Sequence, residues 1–471
     1  MKLIIALIAI AGIAFFSVIN WRTAAKSVFF LVVFEGALRK WILPQASEII
    51  YFLKDFVILG AYTGYFGFSR IKRNPALQNK NFLINLLVFL AAGWCLFQAF
   101  NPSLGSPIVG ILGIKAYLLY IPLMWMLPAL FPSEEELYKF LRSHLLLVIP
   151  TGVIGIIQFF SPPTSPINAY APGIEQQVAT FGFGSEAAVR ITGTFSYLNS
   201  YAGYLIACFG LLLPLLSVKQ SRWWKLVTIV ELFLIVTNTV MTGSRTPVIA
   251  EIIILVGYLG ALFLMNRGSL RGGTKQILLP ATVIVTVAIF GFRSAFEQFE
   301  RRLTSNTDLS RRIGENFLQP IDFFKYKQLD GYGTGATHPG AVPLRNLLRL
   351  PAGEYIPGYY EAEMGRVALE LGPIGFTFWY GLRICIGLKL WSLFWKLKSP
   401  FLRQLAAIAL LIHLVQLSGQ MVFHHTFSVY YWFLSGFIFL LPQLEFINHW
   451  HQEQQLLQQN AQASYFSDSS Y

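Results

Sequence analysis

Apolar runs of membrane-spanning length follow one another along almost the whole chain, and this repetition limits the fold more than any other feature. They fall at 3–20, 27–43, 51–69, 82–100, 108–131, 141–160, 196–217, 225–243, 247–266, 276–292, 364–388, 404–423 and 427–445. A helical span takes about 20 mostly apolar residues, and in lipid only helices or closed barrels satisfy their own backbone. The expected fold is therefore an all-α polytopic membrane protein of about 12–13 transmembrane helices. The run at 27–43 is short and carries Glu35, Arg39 and Lys40, so it reads either as a span or as a re-entrant or interfacial segment. Met1–Asn20 has a Lys before an apolar core but no convincing small-x-small cleavage site, and reads as a retained first helix.

Composition agrees. The 471 residues are 55% hydrophobic and 13% charged, against about 25% charged in a soluble domain. The net charge of +13 does not call for nucleic acid, because Lys and Arg orient transmembrane helices and no basic run is interleaved with stacking aromatics. The three cysteines lie singly in apolar runs, so neither a disulfide framework nor a zinc site is expected. No cofactor and no metal is called for.

Basic clusters at 70–80, 219–225, 267–275 and 389–403 all fall on one side once the helices alternate, and that side is the cytoplasm. The connections 101–107, 161–190 and 293–363 then face outward. Five regions result: N-terminal helices at 1–140, central helices at 141–292, a large extracytoplasmic loop at 293–363, C-terminal helices at 364–447, and a polar tail at 448–471. The tail, rich in Gln and Ser, is expected to be disordered in the cytoplasm.

Three arginines sit where the outer helix ends should be. Arg190 opens RITGTFSYLNSYAGYL, Arg245 lies in the turn TGSRTP, and Arg366 lies in EAEMGRVALELG. One such Arg is ordinarily a snorkelling residue. Three on one face, beside a long loop, suit a phosphate or diphosphate, which the guanidinium fork matches. Within the loop, Asp308 would cap a helix with Leu309, Ile313 and Phe317 on one side, carrying Arg311 and Arg312, with Pro320 soon after. DGYGTGATHPG follows; its Gly331, Gly333 and Gly335 permit tight turns but form no dinucleotide fingerprint. His338 is a candidate general base. Glu354, Glu361 and Glu363 are carboxylate alternatives, the last two on one side if that segment is extended.

The ordered set RITGTFSYLNSYAGYL, TGSRTP, SRRIGENFLQPIDFFKYKQLDGYGTG and EAEMGRVALELGPIGF resembles the O-antigen ligase and polymerase family, over roughly residues 140–440. The resemblance implies a bacterial inner-membrane glycosyltransferase with its large loop on the periplasmic side, working without a metal. It would move a glycan from a polyprenyl-diphosphate carrier to an acceptor sugar hydroxyl, with inversion. The resemblance also implies that Arg190, Arg245 and Arg311 or Arg312 hold the donor diphosphate. Ligases of the family carry a His-Asn pair late in the loop, whereas this chain reads GYYEAEMGR there, which favours a polymerase or another glycan transferase.

The expected partners are the lipid-linked glycan donor, a glycan or lipid-glycan acceptor, the bilayer, and polysaccharide export or chain-length proteins. Two other classes stand beside this one. A polyprenyl-glycan transporter or flippase would be favoured if Lys115 and Glu231 paired within the spans. A non-catalytic component of a polysaccharide machine is the third.

Overall fold

Apolar runs that must satisfy their own backbone become helices, and the chain is built from them. The structure, a computed structural model, describes residues 2–69, 81–172, 177–181, 188–265, 297, 309–327, 329–357, 360 and 362–468. In chain order the α-helices are α1 (Lys2–Ile19), α2 (Trp21–Ala37), α3 (Ser47–Tyr62), α4 (Phe82–Gln98), α5 (Pro107–Leu118), α6 (Leu123–Leu130), α7 (Glu134–Leu145), α8 (Val148–Phe160), α9 (Leu198–Ser217), α10 (Arg222–Met241), α11 (Arg245–Met265), α12 (Leu309–Phe323), α13 (Ala341–Leu348), α14 (Glu363–Lys396), α15 (Pro400–Val415), α16 (His425–Ser435) and α17 (Phe437–Asp468). The sheet content among the described residues is one antiparallel pair, β1 (Thr180–Phe181) with β2 (Ala188–Val189).

Polar residues mark the helix starts. The Ser133 hydroxyl accepts from the Glu136 amide at 3.2 Å, with Glu134–Glu136 forming the first turn of α7, the capping-box pattern. Ser106 and Ser221 cap α5 and α10 in the same way. The α9 helix forms the centre of the bundle. Its segment Tyr201–Leu215 is buried throughout, against α10, α11, α15 and α16. Helix α11 instead turns Ile252, Ile253 and Val256 outward, as a lipid-facing helix should.

Among the described residues seven helices are long and apolar enough to cross a membrane, or eight if the bent pair α5 and α6 is one span. The architecture is thus all-α and polytopic. The difference from 12–13 has identifiable causes. The run 108–131 breaks by 41° between α5 and α6, α4 and α15 are shorter apolar helices, and α16 with α17 to Gln458 counts as one long helical span. The run 276–292 lies outside the described residues.

The long loop returns to the bundle at a break in α14. Pro373 has no N–H to donate, and Gly372 adopts φ +64°, interrupting the 34-residue helix. Carbonyls that the break leaves without helical donors find others. Leu369 O accepts from the Tyr332 amide at 2.7 Å, Glu370 O from the Gly333 amide at 3.1 Å, and Leu371 O from the Trp94 indole at 2.8 Å. Polar backbone at membrane depth is tolerated where protein supplies such partners. The 101–106 connection packs on the same loop: Asn101 Nδ2 donates to Gly331 O at 2.8 Å and Arg345 to Leu104 O at 3.0 Å.

The tail, expected to be disordered, is helical through Asp468, and its Gln, Leu and Ala residues favour helix. Pro320 lies inside α12, which runs to Phe323. Glu363 starts α14 instead of lying in an extended segment. The expected cap Asp308 lies outside the described residues, and α13 was not anticipated.

Gly372→Ala should lower thermal stability in detergent by about 1–3 kcal/mol, because a side chain disfavours this φ and its Cβ would lie 2.6 Å from Leu329 O. An unchanged melting temperature would show that the break does not hold the loop.

Candidate functional site

The glycine turn is what carries His338 to the helix ends. Gly333 and Gly335 adopt φ +99° and +91°, conformations that favour glycine. A Cβ on Gly113 of α5 would come within 2.4 Å of the Gly335 amide, so the turn and helix touch backbone to backbone. Thr334 donates from its hydroxyl to Cys95 O at 2.8 Å. The Thr337 amide and hydroxyl both donate to Glu370 Oε1 at 2.8 Å. One residue further, the His338 ring meets Phe423 edge-on at 5.4 Å and stacks 6.5 Å from His425.

His338 Nδ1 accepts from the Gly340 amide at 2.9 Å. Its neutral ring therefore carries the proton on Nε2. Burial, aided by the charges of Lys115 and Arg366, lowers its pKa from 6.5 to about 4. His424, next to His425, is likewise brought to about 4 by burial and then by Arg366. The site thus presents neutral imidazoles at ordinary pH, with His338 offering a donor.

Beside His425 is a cavity of about 90 Å³, walled by the end of α2 and the starts of α3, α9 and α16. Glu35 of α2 receives Lys54 at 2.5 Å and Arg39 at 3.4 Å. Arg39 also donates to Ser47 Oγ at 3.0 Å and Ser196 Oγ at 3.1 Å. Lys40 donates to Thr192 Oγ1 at 3.1 Å and Gly193 O at 2.8 Å. The α2 helix approaches this segment closely because Gly36 has no Cβ; one would lie 2.2 Å from the Ser196 amide. Deeper, Lys115 pairs with Asp55 at 2.8 Å, and Tyr120 donates to the same carboxylate at 2.6 Å.

The expected arginines fall into two groups. Arg366 lies over the rings of Phe423 (5.2 Å) and Tyr360 (5.7 Å), beside His338 and His424. Arg190 donates from Nε to Thr242 O at 3.0 Å, which ties it to the turn leading into Arg245. That turn is shaped by Gly243 at φ +62°, against the Phe181 ring. Arg190 and Arg245 are each half-buried. They connect to the cavity through 190–196, the segment that Arg39 and Lys40 clasp. Arg311 and Arg312 belong to α12, which packs on α14; their side chains, and Glu361, lie outside the described residues.

Glu363 is fully buried, pairs with Arg383 at 3.0 Å, and accepts from the Val422 amide at 2.6 Å and from the Met421 amide. With both oxygens engaged, the carboxylate anchors the 421–425 segment. Glu354 is held by Lys327 (2.5 Å) and by Ser103 (2.7 Å) on the loop surface; these hydrogen bonds lower its pKa. Lys115 and Glu231 do not pair, since Glu231 binds Arg142 at 2.9 Å.

Glu35, Arg39, Lys54 and Asp55 were not anticipated as site residues. Their signal was present: charges inside apolar runs are costly and usually functional. Among the described residues no three His, Cys, Asp or Glu side chains gather as metal ligands. Fold and site define an all-α polytopic membrane protein with a polar cavity at one end of its bundle. No protein-family model matches the chain, and no curated protein matches it.

Between about pH 6.5 and pH 4 the unfolded chain protonates His338 and His424 while the folded chain does not, so stability should fall as pH is lowered through this window. Melting temperatures measured across it should show a shallower slope in His338→Gln and His424→Gln; equal slopes would contradict the assignment. Glu363→Gln leaves Arg383 buried without its counter-charge and should cost about 3–5 kcal/mol, read as a large loss of folded protein on size-exclusion chromatography, where a normal yield would refute the anchor role.

Proposed function

We propose that the protein is a membrane glycosyltransferase that moves a glycan from a polyprenyl-diphosphate carrier to an acceptor sugar hydroxyl, outside the cytoplasm. The observation that carries the reading is the meeting of His338 with Arg366 and with His425, which lines a polar cavity, where an apolar bundle adjoins a large loop. A lipid carrier needs such a juncture, with its tail in the bilayer and its diphosphate and sugar among polar groups. The resemblance to the O-antigen ligase and polymerase family supports the same class.

In this reading the acceptor oxygen attacks the anomeric carbon opposite the carbon–oxygen bond to the diphosphate, and that bond breaks. The electron pair leaves with the diphosphate, and the configuration inverts. Arg190, Arg245, Arg366 and Arg311 or Arg312 stabilise the charge growing on the leaving group, the type of fixed electrostatic stabilisation that dominates many enzymes. His338, neutral and protonated on Nε2, serves as a donor to a reacting oxygen instead of a base. The base role then passes to Glu361, which adjoins Tyr360 in the chain. The mechanism uses no metal and no cofactor.

The separation of Lys115 from Glu231 removes the pairing that would favour the transporter reading. Arg245→Ala and Arg366→Ala should each lower transfer by about 10²–10³-fold, as loss of a charge-stabilising donor does, with the carrier-linked glycan accumulating in cells. Transfer at the normal rate would remove the diphosphate-clamp idea. Any acid limb due to His338 should lie near pH 4, with no His338-dependent change between pH 5.5 and 8 as an order-of-magnitude window. A limb near pH 6.5 that disappears in His338→Gln would return the histidine to the base role.

A further inference from the structure

The cavity holds a group whose hydrogen bonding is incomplete. His425 is 6% exposed, lines the cavity, and finds no partner for either ring nitrogen among the described residues. A buried polar group left unpaired is costly, so a ligand that supplied partners would recover that cost on binding.

The surrounding chemistry narrows the ligand. Phe195, Phe423 and Tyr51 contribute aromatic rings, and Ser196, Ser200 and Thr426 contribute hydroxyls. The cations Arg39 and Lys54 do not stand alone, because Glu35 lies between them and also lines the cavity. A phosphate placed here would face that carboxylate. A polyol would not, since its hydroxyls donate to Glu35 and accept from Arg39. Neutral imidazole offers one donor and one acceptor, which suits two neighbouring hydroxyls, while the C–H face of a sugar ring packs on aromatic walls.

We propose that this cavity is a subsite for a single neutral sugar ring, the acceptor residue of the transfer, recognised by Glu35, Arg39, Ser200 and His425. The proposal rests on the transferase reading for the ring's role but not for its binding. The stacking of His338 on His425 at 6.5 Å sets a ring bound there beside the transfer histidine. The cavity, about 90 Å³, is smaller than one that encloses benzene, so it takes one edge of a ring and leaves the rest of a glycan outside.

The test uses the full chain in lipid nanodiscs and saturation-transfer difference NMR with methyl glucoside, galactoside, mannoside and N-acetylglucosaminide. At least one pyranoside should receive saturation on its ring protons. Two variants should weaken that binding by about tenfold: Ser200→Trp, which fills the cavity, and His425→Phe, which keeps the ring and removes its nitrogens. Melting temperatures identify a variant that fails to fold, in which case the other variant decides. The proposal is overturned if no pyranoside binds, if a folded variant binds as the parent does, or if inorganic diphosphate competes more strongly than the sugars. Sugar binding without transfer activity would sink the transferase reading alone; transfer without pyranoside binding would sink the subsite alone.

Discussion

The site depends on a defect in one helix. Where Gly372 and Pro373 break α14, the carbonyls of Leu369, Glu370 and Leu371 need donors that the helix cannot supply. The loop provides two, from Tyr332 and Gly333, and Trp94 provides the third. An unsatisfied carbonyl in an apolar interior costs several kcal/mol, so the break and the loop hold each other in place. Everything that the loop contributes follows from this docking. Thr337 locks onto Glu370 one residue before His338, and the histidine reaches the helix ends from there.

A second constraint comes from charge. Glu35, Arg39, Lys54, Asp55 and Lys115 occur within helical runs that a membrane would otherwise prefer apolar. Each is paired, and the pairs join α2, α3 and α5 at the end of the bundle where the loop docks. Buried pairs add little net stability over apolar packing, and losing one partner is costly. Their presence is better accounted for by a polar cavity that must exist than by stability. Glu363 and Arg383 solve a different problem with the same chemistry, fixing the backbone at 421–422 so that His424 and His425 face the cavity region.

Much of the architecture was legible in the sequence. Apolar length alone indicated an all-α polytopic bundle, and the spacing of Leu309, Ile313 and Phe317 indicated α12. The glycines of 331–335 read correctly as turn-formers, because positive φ is a local property. What they turn against was not legible, since that depends on a break 40 residues later in the chain. Arg190, Arg245 and Arg366 stand out in the sequence because they fall near the expected helix ends. Glu35 and Arg39 count in a one-dimensional reading only as faults in a span, and Lys54 and Asp55 pass unnoticed in theirs, because the sequence cannot show a charge its partner. The anchoring of Glu363 was hidden for the same reason: Arg383 lies about five and a half helical turns further on, at about 3.6 residues per turn.

We propose that the docked loop and the cavity form a site for transfer between lipid-linked and acceptor glycans. The most direct measurement is reconstitution of the purified chain in liposomes with a polyprenyl-diphosphate oligosaccharide and a glycan acceptor, followed by mass spectrometry of the products. A new glycosidic product and release of the polyprenyl diphosphate are expected, with no need for added metal. Movement of the carrier between leaflets without a new bond, or no change in either substrate, would contradict the proposal.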